Sequence, residues 1–238
     1  MLSRWRRMRS VSPRQHQVGL SLVELLVGVA VGLFVVAGAT ALVGSQLGDN
    51  RRLIVETQLQ QDLRAAADII SRDLRRAGHW ADSSNFVLAL GAGSAGKNPY
   101  SVITPSVSGT TSDSTTYSYR RGPGQTGPYG FRLTGTVIQT QLAGAGWTDL
   151  TDSRVLEVTS FEVTPRNIVG EQLPCPKLCA DGTTSCWPRV TVRELELLIQ
   201  ARAKTDQTVR RTIRSTVRLR NDWVEFRDAA NPDDLCPD

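Results

Sequence analysis

Histidine, methionine and aromatic side chains are scarce in this sequence: two His, two Met and 6% Phe, Trp and Tyr among 238 residues. With His16 and His79 alone there is no histidine pair to hold a metal, and no nucleophile elbow or phosphate-binding glycine loop is present. The residues therefore point away from an enzyme and imply neither a metal nor a cofactor. Proline is absent from residues 20–98, which leaves a long stretch free to form helix. Charge is absent from Leu25 through Gly48, 24 residues in all, and no acid occurs among the first nineteen.

What is present accounts for the overall charge. The formal net charge is +5, and Arg4, Arg6, Arg7, Arg9 and Arg14 all lie in residues 1–19. The other 219 residues carry 23 basic and 23 acidic side chains, so they are formally neutral. The basic excess belongs to a leader and carries no information about the partners of the rest of the chain. As a helix, the uncharged run would be roughly 36 Å long, enough for a hydrocarbon core of about 30 Å. Five arginines before it keep the leader in the cytoplasm and send everything after residue 50 across. The lipid bilayer is thus the first expected partner.

Such a run fits a plain signal anchor, or a secretory signal peptide cut after Ala39 at the small-residue site Ala37-Gly38-Ala39. Glu24 argues against both. An acid inside an apolar span costs on the order of 2–3 kcal/mol at a helix centre and less near the interface. An anchor or a signal peptide gains nothing from that cost, whereas a protein that needs the carboxylate for a later contact does.

The motif Gly19-Leu20-Ser21-Leu22-Val23-Glu24-Leu25-Leu26 resembles the class III signal of type IV prepilins and type II secretion pseudopilins. Leu20 stands where phenylalanine is usual, and Val18 where a basic residue is common. The resemblance implies that a prepilin peptidase cuts between Gly19 and Leu20 and methylates the amino group of Leu20. Glu24 then becomes the fifth residue of the mature chain, and the apolar helix is retained. In an assembly, Glu24 would pair with the α-amino group of Leu20 of a neighbouring subunit, where low polarity leaves the attraction weakly screened. Gly28 and Gly32, and Gly44 and Gly48, form small-xxx-small pairs suited to close helix approach, although glycine is common in membrane helices generally.

Beyond Asp49 the helical period continues. Val55, Leu59, Leu63, Ala66, Ile70, Leu74 and Ala77 recur at steps of three and four, opposite a face with Arg52, Glu56, Asp62, Arg64, Asp68, Arg72 and Arg75. Arg52–Glu56, Arg64–Asp68 and Asp68–Arg72 have the i,i+4 spacing of helix ion pairs. Gly78 suits the position just past a helix end. Arg75-Arg76-Ala77-Gly78-His79 is similar to the Arg-x-Ala-Gly-aromatic signature that follows the long helix in the PilW family of type IV pilus minor pilins, with His79 in the aromatic place.

Residues 91–130 are rich in Gly, Ser, Thr and Pro and read as long loops around short strands such as Thr115–Arg120. Strand signals begin at residue 131. Val155–Val163 alternates, Val190–Ala201 reads as one apolar strand, and Val209 to Arg220 alternates after a turn at Lys204–Gln207. The ending Thr216-Val217-Arg218-Leu219-Arg220-Asn221 is similar to the closing strand of PilW-like and J-type pseudopilin proteins. Arg210, Arg214, Arg218 and Arg220 share one face of that strand. They would serve either as a DNA or anionic contact or as a solvated face balanced by Glu194 and Glu196. The absence of interleaved aromatics favours the second.

Cys175, Cys179, Cys186 and Cys236 all lie on the expected exported side, where an even count implies two disulfides in one of three pairings. A four-thiolate zinc site fits the spacings of three and six intervening residues poorly. In pilins a C-terminal disulfide ties down the tail, which a bridge to Cys236 would do here.

The expected architecture is α+β and pilin-like. It comprises a leader over 1–19, a long helix over 20–78 that spans the membrane in 20–48, and a β-rich periplasmic domain over 79–238 packed through a mostly antiparallel sheet. The resemblance implies a minor pilin in the inner membrane and then the pilus, with prepilin peptidase, other minor pilins, the major pilin and the inner-membrane assembly platform as partners. The same architecture in a J-type pseudopilin, and a DNA-binding or adhesive tip module, are the other readings.

Overall fold

The computed structural model describes residues 19, 21–86, 97–120, 124–227 and 236. The leader residues 1–18 and Leu20 lie outside the described residues. The chain divides into two units, Met1–Arg51 and Arg52–Asp238, and one helix, α1 (Leu22–Leu74), has residues in both.

In the first unit the helix is long and apolar enough to cross a membrane. Leu25, Leu26, Val27, Val29, Val31, Leu33, Phe34, Val35 and Val36 are all exposed. Successive residues on a helix point about 100° apart, so among the described residues every side of this segment presents exposed apolar side chains. A Cβ added at Gly28, Gly32, Gly44 or Gly48 would meet no atom within 4 Å.

In the second unit α1 is amphipathic. Leu59, Leu63, Ala66, Ala67, Ile70 and Leu74 are buried in the core. Arg52 and Glu56 form an ion pair at 3.3 Å, and Glu56 also takes Arg211 at 2.8 Å. Among the described residues, Arg64–Asp68 and Asp68–Arg72 form no ion pair, in keeping with their full access to water. Regular helix stops at Leu74, short of the expected end. The N–H groups of Arg76 and Ala77 bond to the carbonyls of Asp73 and Leu74, which tightens the last turn.

Eleven strands follow among the described residues, all paired antiparallel. Strands β1 (Ile103–Thr104), β2 (Ser114–Tyr117), β3 (Tyr129–Thr134), β4 (Val137–Gln141) and β5 (Trp147–Asp149) form one sheet in sequence order. Then come β6 (Leu156–Pro165), β7 (Ile168–Gln172), β8 (Arg189–Val192), β9 (Glu194–Ala203), β10 (Arg210–Arg218) and β11 (Trp223–Glu225). Of these, β10-β9-β6 make a second sheet and β11-β8-β7 a third.

The second sheet supplies much of the core. Leu195, Leu197, Ile199, Ala201 and Ala203 on β9 face inward at strict alternation. On β6 the inward positions change from Leu156 and Val158 to Phe161 and Val163, because the register shifts between Val158 and Ser160. These side chains and Val217 of β10 share one hydrophobic cluster with Leu59, Leu63, Ile70 and Leu74 of the helix.

One expectation is corrected. Val190–Ala201 is not one strand: the chain leaves β8 and enters β9, in a different sheet, at Arg193. That side chain is buried and donates from Nη2 to the Asn221 carbonyl at 2.8 Å and from Nη1 to the Ser101 carbonyl. The described residues of 91–130 are loops around the short strands β1, β2 and the start of β3, as expected. Their core is aromatic, with the Tyr117, Tyr119, Tyr129 and Phe131 rings 4.2–6.3 Å apart.

Ile199 lies at the centre of the middle strand of the second sheet, fully buried. Ile199→Ala is expected to lower the unfolding free energy of the full chain in detergent by about 2–5 kcal/mol. Thr212→Ala, on the exposed face of β10, is expected to change it by less than about 0.5 kcal/mol.

Candidate functional site

Two places carry the residues that bear on function: the start of α1, and the turn where α1 enters the β-rich unit.

At the start, Gly19 and Ser21 are exposed, and Leu20 between them lies outside the described residues. Glu24 occupies the first turn of α1 and is exposed. A carboxylate there faces the unsatisfied N–H groups and the positive end of the helix dipole. Among the described residues, no cation lies within ion-pair distance of it. Leu22, Val23, Leu25 and Leu26 surround it with exposed apolar surface.

At the other end, four carbonyls between Arg75 and His79 accept from donors in three other segments. Arg220 N–H donates to the Arg75 carbonyl at 3.2 Å, and Arg120 N–H to that of His79 at 2.9 Å. The Asn221 side-chain amide donates to the Ala77 carbonyl at 3.0 Å, and that of Asn98 to Gly78 at 2.7 Å. Gly78 itself donates to the Ser118 carbonyl at 2.9 Å and has φ +75°, the left-handed conformation that glycine adopts without strain. A Cβ there would sit 3.0 Å from Arg193 Nη2 and 3.4 Å from Asn221 Cβ. The glycine of the sequence signature is thus explained by dihedral and by space. His79, the variant at the aromatic position, is exposed.

Asp73 pins the same turn to the first sheet. Its two carboxylate oxygens accept from the Tyr117 hydroxyl at 2.5 Å and the Tyr119 hydroxyl at 2.9 Å. Arg76 lies 3.7 Å away. Hydrogen bonds to an ionised acceptor are stronger than neutral ones. Burial, and then the Asp73 charge, raise the Tyr117 hydroxyl far above its ordinary range and push Tyr119 up to about 12. Nothing in the sequence signals this cluster: Asp73 reads as one more polar residue of the helix, and its partners lie 44 and 46 positions away.

The four arginines do not form one group. Arg210, Arg214 and Arg218 lie on the exposed face of β10, but Arg220 falls past the strand end and turns to the helix junction. Register places Glu194 opposite Arg218 and Glu196 opposite Thr216, so the acids share that face. Glu196 is taken by Arg166 at 3.1 Å and Arg218 by Asp222 at 3.8 Å. Nearby, Lys204 just past β9 and Arg202 on β9 lower the pKa of Glu157 on β6. The face is a mixed-charge surface.

The cysteines form Cys175–Cys236 and Cys179–Cys186 disulfides, so no thiol among them is free. The second closes a loop between β7 and β8, where Trp187 Nε1 donates to the Lys177 carbonyl at 2.9 Å. The first draws Cys236 to the foot of that loop.

Among known proteins, a family model described as prepilin peptidase-dependent protein B matches residues 52–219. No curated protein and no solved structure matches the chain. The matched span lies inside the second unit, so it is independent of the Gly19–Leu26 motif.

Gly78→Ala is expected to cost about 1–3 kcal/mol, from backbone strain and the close Arg193 contact. Gly135→Ala, at φ +61° with no neighbour within 4 Å, is expected to cost less. Paired denaturation curves of the two variants provide the check.

Because Tyr119 titrates higher folded than unfolded, its contribution is complete below pH 10 and is lost as pH rises towards about 12. The unfolding midpoint is expected to fall over that interval, and less steeply in Tyr119→Phe.

Proposed function

The chain belongs to the prepilin peptidase-dependent protein B family, and from that membership we propose that it is a minor pilin that acts in the priming or tip complex of type IV pilus assembly. The observation that carries this reading is the N-terminal part of α1: an uncharged run exposed on every side, headed by Glu24 and preceded by Gly19-Leu20. The family match to the β-rich unit supports it from other residues.

In this reading the peptidase removes residues 1–19, the amino group of Leu20 is methylated, and the retained helix anchors the chain in the inner membrane with its β-rich unit in the periplasm. The two disulfides suit that oxidising compartment. Assembly moves the helix from lipid to a bundle of sister helices, where Glu24 meets the amino group of a neighbouring Leu20 and sets the register. The open space at Gly28, Gly32, Gly44 and Gly48 admits close helix approach from other major and minor pilins. The role is structural and needs neither cofactor nor catalysis. Arg75-Arg76-Ala77-Gly78, whose backbone closes the helix end, favours a PilW-type minor pilin over a J-type secretion pseudopilin. The mixed charge of the β10 face argues against a DNA-binding role.

Glu24→Gln, which keeps shape and removes charge, is expected to reduce surface pili by about tenfold or more, from loss of a weakly screened ion pair. Pilus counts and secreted protein are measured in the same cells. Loss of pili with export intact is the predicted result. Loss of export with pili intact would favour the pseudopilin, and unchanged levels of both would remove Glu24 from assembly.

A further inference from the structure

Beside the helix end lies a cavity of about 400 Å³ lined by Arg76, His79, Tyr119, Arg120, Arg220 and Asn221. Its three arginines come from three separate segments: the turn that closes α1, the residues after β2, and the residues after β10. The junction bonds described above fix all three backbones, since Arg120 and Arg220 each donate an N–H to a carbonyl of the helix end. Two of the side chains are paired with acids: Arg76 lies 3.7 Å from Asp73, and Arg120 is ion-paired with Asp82. Among the described residues, Arg220 forms no ion pair. The side chains of Arg76 and Arg120 keep 54% and 32% exposure, so water and solutes reach them.

Guanidinium groups carry five donors in a planar fork that matches a carboxylate or phosphate in a bidentate way. Three arginines line one small cavity, and acids pair with two of them, which leaves Arg220 without an acid partner among the described residues. That balance suits one oxyanion of single charge. A nucleic acid would instead require a row of cations along its backbone. We infer that this cavity receives a single carboxylate, the side chain of an aspartate or glutamate on a neighbouring pilin-like subunit. The inference rests on the reading that the chain works among such subunits, and it places a contact at the helix end that is separate from Glu24.

The test uses the full chain in detergent micelles with isotope-labelled arginine. The probe is the capped peptide Gly-Glu-Gly, with Gly-Gln-Gly, inorganic phosphate and a 20-base-pair DNA duplex as comparisons. The glutamate peptide is expected to shift the Nε–H signals of Arg76, Arg120 and Arg220. Arg220→Gln, and independently Arg76→Gln, are expected to weaken its binding by about tenfold, whereas Arg214→Gln on β10 leaves it unchanged. Equal binding of the glutamine peptide would overturn the inference, as would equal losses in Arg214→Gln and Arg220→Gln. Phosphate or DNA displacing the peptide at lower concentration would assign the cavity to another anion and overturn it as well. The titration involves no filament, so it can fail while the Glu24 result stands, and the reverse.

Discussion

A helical run of 24 uncharged residues that its own chain leaves uncovered has to find apolar surroundings elsewhere. Each fully exposed Leu, Val or Phe forgoes about 1.5–3 kcal/mol of burial. Summed over the run, that rules out water as a lasting environment. Lipid and a bundle of like helices both satisfy the constraint, and to an apolar side chain they are nearly equivalent. A helix of this kind can therefore pass from one to the other at small cost, provided something other than hydrophobicity decides where it stops. A charge in an uncharged setting does so, because an unpaired carboxylate is far more costly there than a paired one. Glu24 is the single acid placed for that purpose in our reading.

The β-rich unit meets a different requirement. A helix that ends inside a folded unit leaves carbonyls without partners, and these must be satisfied if the end is to hold its place. Here the donors come from residues 98, 120, 220 and 221, and the carboxylate of Asp73 takes two tyrosine hydroxyls from the first sheet. The helix end is consequently the point at which segments distant in sequence meet, with Gly78 supplying the dihedral and the space. The same convergence gathers Arg76, Arg120 and Arg220 around one cavity.

Legibility in the sequence followed the length and regularity of each element. The helix was readable because Leu59, Leu63, Ile70 and Leu74 keep the helical period over several turns, β10 because it alternates over nine residues, and β6 and β9 because each is a long run rich in β-prone residues. The first sheet was not, since strands such as Ser114-Thr115-Thr116-Tyr117 are short, polar in composition and organised by tyrosine stacking between strands. The break at Arg193 was hidden because its cause is tertiary: its carbonyl and guanidinium partners lie at residues 219, 101 and 221. Gly19, Leu20 and Glu24 are singled out by a contiguous motif. Asp73, Tyr117 and Arg193 were not, because their meaning depends on residues dozens of positions away. The cysteine spacing allowed three pairings, and only the fold selects between them.

The central claim is that the apolar helix stays on the finished protein. Mass spectrometry of the N-terminus of the protein purified from its native membrane tests this most directly. The account predicts a chain that starts at Leu20 and carries a methyl group on its amino nitrogen. A chain that starts at Thr40, having lost the helix, would contradict it.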